Sequence, residues 1–152
     1  MDYVIPSDSQ RRDNPKVFDI PDVDDFDLND TEVDVWSMLH TIRDPEFPYT
    51  IGQLRVIEPS GVHFEEDTLK ISISFKPTIE HCSMATLIGL AIRVKLLRHF
   101  PTNYRLDVHL SSNSHLEEAD INKQLADKER VAAATENHDL MAIINSMIAD
   151  PI

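Results

Sequence analysis

Between residues 69 and 110 the apolar pattern changes period twice, and that change limits the folds open to this chain. Leu69, Ile71, Ile73 and Phe75 alternate with Lys70, Ser72 and Ser74, a period of two that predicts a strand with one buried face. After Pro77 and the loop Thr78-Ile79-Glu80-His81-Cys82, apolar residues recur at helical spacing: Met84, Leu87, Ile88, Ala91, Val94 and Leu97, with Leu90 widening the stripe. Pro101 ends that helix, predicted over 83–99, and Tyr104, Leu106, Val108 and Leu110 then alternate with Arg105, Asp107 and His109 as a further strand. A strand, a long helix and a second strand imply a parallel pair joined by a right-handed crossover. Gly89 is expected to let the helix lie close to the sheet, and Arg93, Lys95, Arg98 and His99 suit the negative end of its dipole.

The flanks complete an α+β domain over 30–150. A helix is predicted to begin near residues 29–31, capped by Asp30 or Thr31, with Val35, Met38, Leu39 and Ile42 on one face and Pro45 and Pro48 as its stop. Leu54, Val56 and Ile57 suggest one strand, and Val62 and Phe64 another beyond Pro59-Ser60-Gly61. Residues 115–125, 127–137 and 139–149 read as amphipathic helices anchored by Ile121, Leu125, Val131, Leu140, Ile143, Ile144 and Met147. The expected architecture is a small mixed sheet of three or four strands packed with helices, with one crossover and a helical C-terminus.

Charge and composition narrow the function. The formal net charge is −13, and residues 1–34 hold 11 of the 27 acids against 3 of the 14 bases. Residues 1–29 contain three prolines and no helical stripe, which predicts a disordered acidic tail, with Val17, Phe18 and Ile20 as its only plausible docking residues. An acidic chain has no electrostatic footprint for nucleic acid, so proteins are the expected partners. The apolar stretch Met84–Leu97 is broken by Arg93 and Lys95, too soon for the roughly 20 residues of a membrane span. The N-terminal residues have neither secretory nor transit character, and the expected address is cytosol, or cytosol and nucleus. Three glycines, at 52, 61 and 89, make no phosphate-binding loop.

Cys82 is the single cysteine. It forms no internal disulfide, and a four-cysteine metal site within one chain is excluded. Its predicted place at the start of a helix, among unpaired N–H groups and the positive end of the dipole, favours a thiolate. Three readings stay open on the residues alone. Cys82 is a reactive thiol, a nucleophile with His81, His109 or His115 as its base, or a small buried hydrophobe. A mononuclear metal site would draw on Cys82, His81, His63, Asp44 and Glu46, none of which falls at a diagnostic spacing. Downstream, residues 122–134 mix charge with alanine, as a face laced with ion pairs or one open to another chain.

Four stretches carry a further resemblance: Ile42-Arg43-Asp44-Pro45-Glu46, Pro77-Thr78-Ile79-Glu80-His81-Cys82-Ser83-Met84-Ala85-Thr86-Leu87-Ile88-Gly89-Leu90, Val94-Lys95-Leu96-Leu97-Arg98, and Asn122-Lys123-Gln124-Leu125-Ala126-Asp127-Lys128-Glu129-Arg130-Val131-Ala132-Ala133-Ala134. In this order they resemble the eukaryotic cytosolic iron–sulfur assembly component two family, whose domain is shared with bacterial metal–sulfur cluster assembly proteins. The resemblance implies a non-catalytic adaptor in the late, targeting step of iron–sulfur protein maturation, linked to nuclear enzymes of DNA replication and repair and to chromosome segregation. It implies a complex with a WD-repeat propeller and a HEAT-repeat adaptor that receives iron–sulfur apoproteins, and a capacity to form homodimers. No stably bound cofactor is expected, only a transient iron–sulfur cluster, with Cys82 its candidate ligand and His81 a second. Asp44, Glu46, Lys123, Gln124, Asp127, Lys128, Glu129 and Arg130 are the partner-binding candidates. The chain departs from the family pattern where Gly52-Gln53 replaces a more acidic pair and where Glu80 replaces the usual proline. The Glu80 carboxylate, two residues before Cys82, opposes thiolate formation.

Overall fold

A computed structural model describes residues 15–77, 82–111 and 118–149. Helix α1 spans Asp30–Leu39, strands β1 and β2 span Val62–Glu65 and Lys70–Phe75, helix α2 spans Cys82–His99, and strand β3 spans Arg105–Leu110. Three helices follow: α3 (Glu118–Ala126), α4 (Lys128–Thr135) and α5 (His138–Ile148). The sheet order is β1-β2-β3. β1 and β2 pair antiparallel, with Val62 opposite Ile73, while β2 and β3 pair parallel, with Ile71 opposite Leu106 and Phe75 opposite Leu110. The expected α+β class, mixed sheet, crossover helix and helical C-terminus are all present. Alternation sets the register: Val62, Ile71, Ile73, Phe75, Val108 and Leu110 are buried on one face, and a slip by one residue would turn them out.

Helix α2 is the centre of the packing. Ala85, Ala91, Ile92 and Leu96 are fully buried, and Ile88, Leu90 and Val94 nearly so. Its glycine serves a different neighbour from the one expected. A Cβ on Gly89 would lie 2.6 Å from Leu125 Cδ1, so the close approach is to α3 and not to the sheet.

Two other expectations are corrected. Leu54, Val56 and Ile57 form turns, not a strand. Val56 and Ile57 both donate to Ile51 O, at 2.9 and 3.3 Å, and Arg55 sits at φ 56°, which curls the segment inward and buries all three apolar side chains. The cap of α1 is Asn29, not Asp30 or Thr31. Asn29 keeps an extended backbone, and its Oδ1 accepts from Glu32 N at 2.8 Å while Glu32 Oε1 accepts from Asn29 N at 2.9 Å. The second Glu32 oxygen accepts from Phe64 N at 2.9 Å, so one buried carboxylate fixes the start of α1 to the edge of β1.

The segment assigned by composition to the tail touches the domain from Phe18 onward. Phe18 N donates to Gln53 O at 2.8 Å, the Arg55 guanidinium lies 3.9 Å from the Phe18 ring centroid, and Val23 packs against the core. Residues 1–14 lie outside the described residues.

Glu32→Ala removes both functions of that carboxylate. It should destabilise the domain by about 2 kcal/mol, read as a lower urea midpoint with unchanged slope. Glu32→Gln retains an acceptor for the cap and should lose about half as much.

Candidate functional site

Cys82 is the first residue of α2. The chain leaves the sheet at Phe75, whose carbonyl accepts from Ser111 N at 2.8 Å, and Lys76 N donates to Val56 O at 2.8 Å. The start of α2 therefore belongs to the carboxyl edge of the parallel pair, where open sheets place functional groups. His81 and the rest of 78–81 lie outside the described residues, as does His115. His109, another candidate base, is on the polar face of β3 with Nδ1 3.4 Å from Asp107 Oδ1. His63 is exposed on β1. Among the described residues, no three His, Cys, Asp or Glu side chains are gathered as a metal site.

Asp44 and Glu46 occupy the loop after α1. Asp44 is 7 % exposed, and its Oδ1 accepts from Glu46 N at 2.8 Å and Phe47 N at 3.1 Å. These bonds close the Pro45–Pro48 turn. Burial holds the Asp44 carboxyl above its ordinary value, with the two N–H donors opposing that shift and the neighbouring Glu46 charge adding to it. The same loop is tied to the C-terminus, where Arg43 N donates to Met147 O at 2.9 Å. Gly52-Gln53 has its own work here. A Cβ on Gly52 would lie 2.7 Å from His40 Cβ, and Gln53 Oε1 accepts from Thr50 N at 3.0 Å.

The second group lies on α3 and α4. Lys123, Lys128, Glu129 and Arg130 are exposed, and Gln124 is half-buried. Asp127 caps α4, its Oδ1 accepting from Glu129 N at 3.0 Å and Arg130 N at 3.4 Å, with Arg130 Nε 3.7 Å from its other oxygen. Asn122, in the same motif but not among the candidates, accepts from Leu110 N at 2.8 Å and fastens α3 to the end of β3. The capping-box spacing of Asn29 and Glu32 was the available signal for their reciprocal bonds, and the place of Arg93 in an apolar stretch was the signal for its burial.

Comparison with known proteins fits this arrangement to one family. No protein-family model matches the chain. It is 45 % identical over 116 residues to "Cytosolic iron-sulfur assembly component 2B" of Mus musculus, covering 76 % of this chain and 71 % of that protein. It is 47 % identical over 116 residues to "MIP18 family protein galla-2" of Drosophila melanogaster, covering 76 % and 74 %. Against "MIP18 family protein F45G2.10" of Caenorhabditis elegans the identity is 48 % over 120 residues, covering 78 % and 75 %. The chain belongs to this family of cytosolic iron–sulfur assembly component 2B and MIP18 proteins.

The raised Asp44 value gives a signed pH prediction. Between the unfolded carboxylate value and the higher native value, the folded chain holds more protons than the unfolded one. The Asp44 contribution to stability is thus full below the unfolded value and is lost as pH rises through the native one. Asp44→Asn keeps the Oδ1 acceptor and removes the charge. Relative to wild type, it should gain stability with rising pH across that window, and denaturation of both proteins at a series of pH values checks the slope.

Proposed function

We propose that this chain is a non-catalytic adaptor of the cytosolic iron–sulfur protein assembly machinery, helping to deliver clusters to apoproteins as part of a multiprotein targeting complex. The observation that carries this reading is identity of 40–48 % over most of the chain to relatives that include proteins named as cytosolic iron–sulfur assembly components. The cluster is cargo and not a resident cofactor. Cys82 supplies the one thiol, at a helix start that favours its thiolate. A thiolate is a soft ligand for iron. Transfer proceeds by ligand exchange: the Cys82 sulfur, its proton given to solvent, replaces one ligand of the cluster and is later replaced by a recipient's cysteine. No electron changes hands and no bond of a substrate is hydrolysed. His81 is a second candidate ligand. The partners in this reading are a WD-repeat propeller, a HEAT-repeat adaptor and iron–sulfur apoproteins, and the setting is the cytosol with access to the nucleus.

Cys82→Ala should leave the thermal melt of the domain within a few degrees of wild type, since it removes one sulfur at a helix end. In cells depleted of the endogenous relative, it should fail to restore cytosolic iron–sulfur enzyme activity. Full restoration would remove the thiol from the mechanism.

The exposed cations of α4 are the proposed partner contacts. Lys128→Glu and Arg130→Glu should reduce co-purification of the propeller and the HEAT-repeat adaptor by at least about tenfold. Lys70→Glu, on an exposed residue of β2 whose Nζ lies 3.9 Å from Asp107, should not. Unchanged recovery of the complex with the α4 variants would place the contact elsewhere.

A further inference from the structure

Helix α2 carries a cation where its surroundings call for an apolar residue. Arg93 stands between Ile92, fully buried, and Val94, 4 % exposed, and is itself only 9 % exposed. Burial holds the guanidinium below its ordinary value, yet arginine stays charged in proteins. Among the described residues its one hydrogen-bond partner is Leu106 O, 3.1 Å from Nη1, which leaves most of the five N–H donors of a guanidinium unused. Asp107 acts on it through space, but that carboxylate has its oxygens 3.9 Å from Lys70 Nζ and 3.4 Å from His109 Nδ1. A buried charge with so few partners is costly unless something pairs with it.

The residue lines an open cleft. It is about 770 Å³ in volume and lies between the second half of α2, the turn after it, the start of β3, and α4. Arg93, Arg105 and Lys128 all border it, and among the described residues its lining holds no carboxylate, although the chain as a whole carries −13. Leu97, at 48 % the most exposed large apolar side chain among the described residues, also lines it, with Tyr104 and Val131 nearby. Three cations around an apolar centre define the complementary ligand. A small inorganic anion would meet the cations and leave Leu97 in water. A nucleic acid would bring a charge at every phosphate into the negative field of the rest of the chain, whereas a single carboxylate meets only the three cations and leaves a neighbouring apolar side chain for Leu97.

We propose that the α2–α4 cleft binds an extended acidic segment of a partner protein, with a carboxylate side chain received by Arg93, Arg105 and Lys128 and a neighbouring apolar side chain seated on Leu97. A carboxylate takes two parallel N–H bonds from a guanidinium, which the unused donors of Arg93 supply. This contact is independent of Cys82 and of any cluster. It differs from a general attraction to the basic residues of α4, because Arg130 is not among the residues that line the cleft.

Fluorescence anisotropy on the full chain tests it. The probe is a fluorescein-labelled peptide with one leucine flanked by Asp and Glu, compared with its Asn and Gln counterpart. The acidic peptide should bind saturably. Arg105→Glu and Leu97→Asp, both at exposed positions, should each weaken it by at least about tenfold, with thermal melts confirming that the variants fold. Lys76→Glu, which makes the same charge change at an exposed residue outside the cleft, should bind as wild type. Equal binding of the amide peptide would overturn the proposal, as would equal weakening by Lys76→Glu. So would binding of inorganic phosphate without binding of the peptide, or a homodimer in sedimentation that Leu97→Asp dissolves while the peptide never binds.

Discussion

A helix buried over most of its length governs this domain. α2 is buried along Ala85, Ile88, Ala91, Ile92 and Leu96, and its Gly89 is closed off by Leu125 of α3. A helix so enclosed cannot slide or rotate without opening a cavity somewhere, and cavities in a packed core cost several kcal/mol. The parallel pairing of β2 and β3 fixes where α2 begins, and the helices after β3 fix how it lies. The helix begins at Cys82. A residue on a rigid element has its backbone position fixed in advance, whereas one on a loop would first have to be ordered.

Much of this was legible in the sequence, and the reasons vary by element. β2, α2 and β3 could be read because burial on one face imposes a period, and 69–110 keeps period two, then helical spacing, then period two. Leu54, Val56 and Ile57 misled because a short apolar run has no period. It serves as well for a buried turn as for a strand, and only Arg55 at φ 56° separates the two. Gly89 showed that something approaches α2 closely, but the partner, Leu125, is 36 positions away, and local pattern carries no information at that range. Glu32 was legible as a capping residue from its spacing, while its bond to Phe64 N depends on tertiary structure. The attachment of Phe18 was hidden by composition. Many aspartates surround it, yet one aromatic ring under one guanidinium holds that stretch to the domain.

The candidate site divides in the same way. Within residues 122–130, side chains that look alike in sequence have separate tasks. Asn122 and Asp127 are engaged inside the molecule, at the end of β3 and at the start of α4, whereas Lys123, Lys128 and Arg130 face outward. Asp44 likewise closes its own turn, whereas Glu46 beside it is exposed. A motif of this kind combines groups that build a surface with groups that present it. Substitution of the first kind alters binding only by deforming the scaffold, and a stability measurement tells the two apart.

One geometric relation joins the thiol end of α2 to its cleft end. Cys82 and Arg93 are eleven residues apart on one continuous helix, which is close to three full turns and a rise of about 16 Å. Their backbone positions therefore fall one above the other along the same side of α2. A segment seated against Arg93 and Leu97 would lie near the far end of the helix from the thiol. That distance is too great for the segment to block Cys82 directly, and Gly89, on the same side between the two, is covered by Leu125 of α3, so the two ends of the helix present separate surfaces on one rigid element.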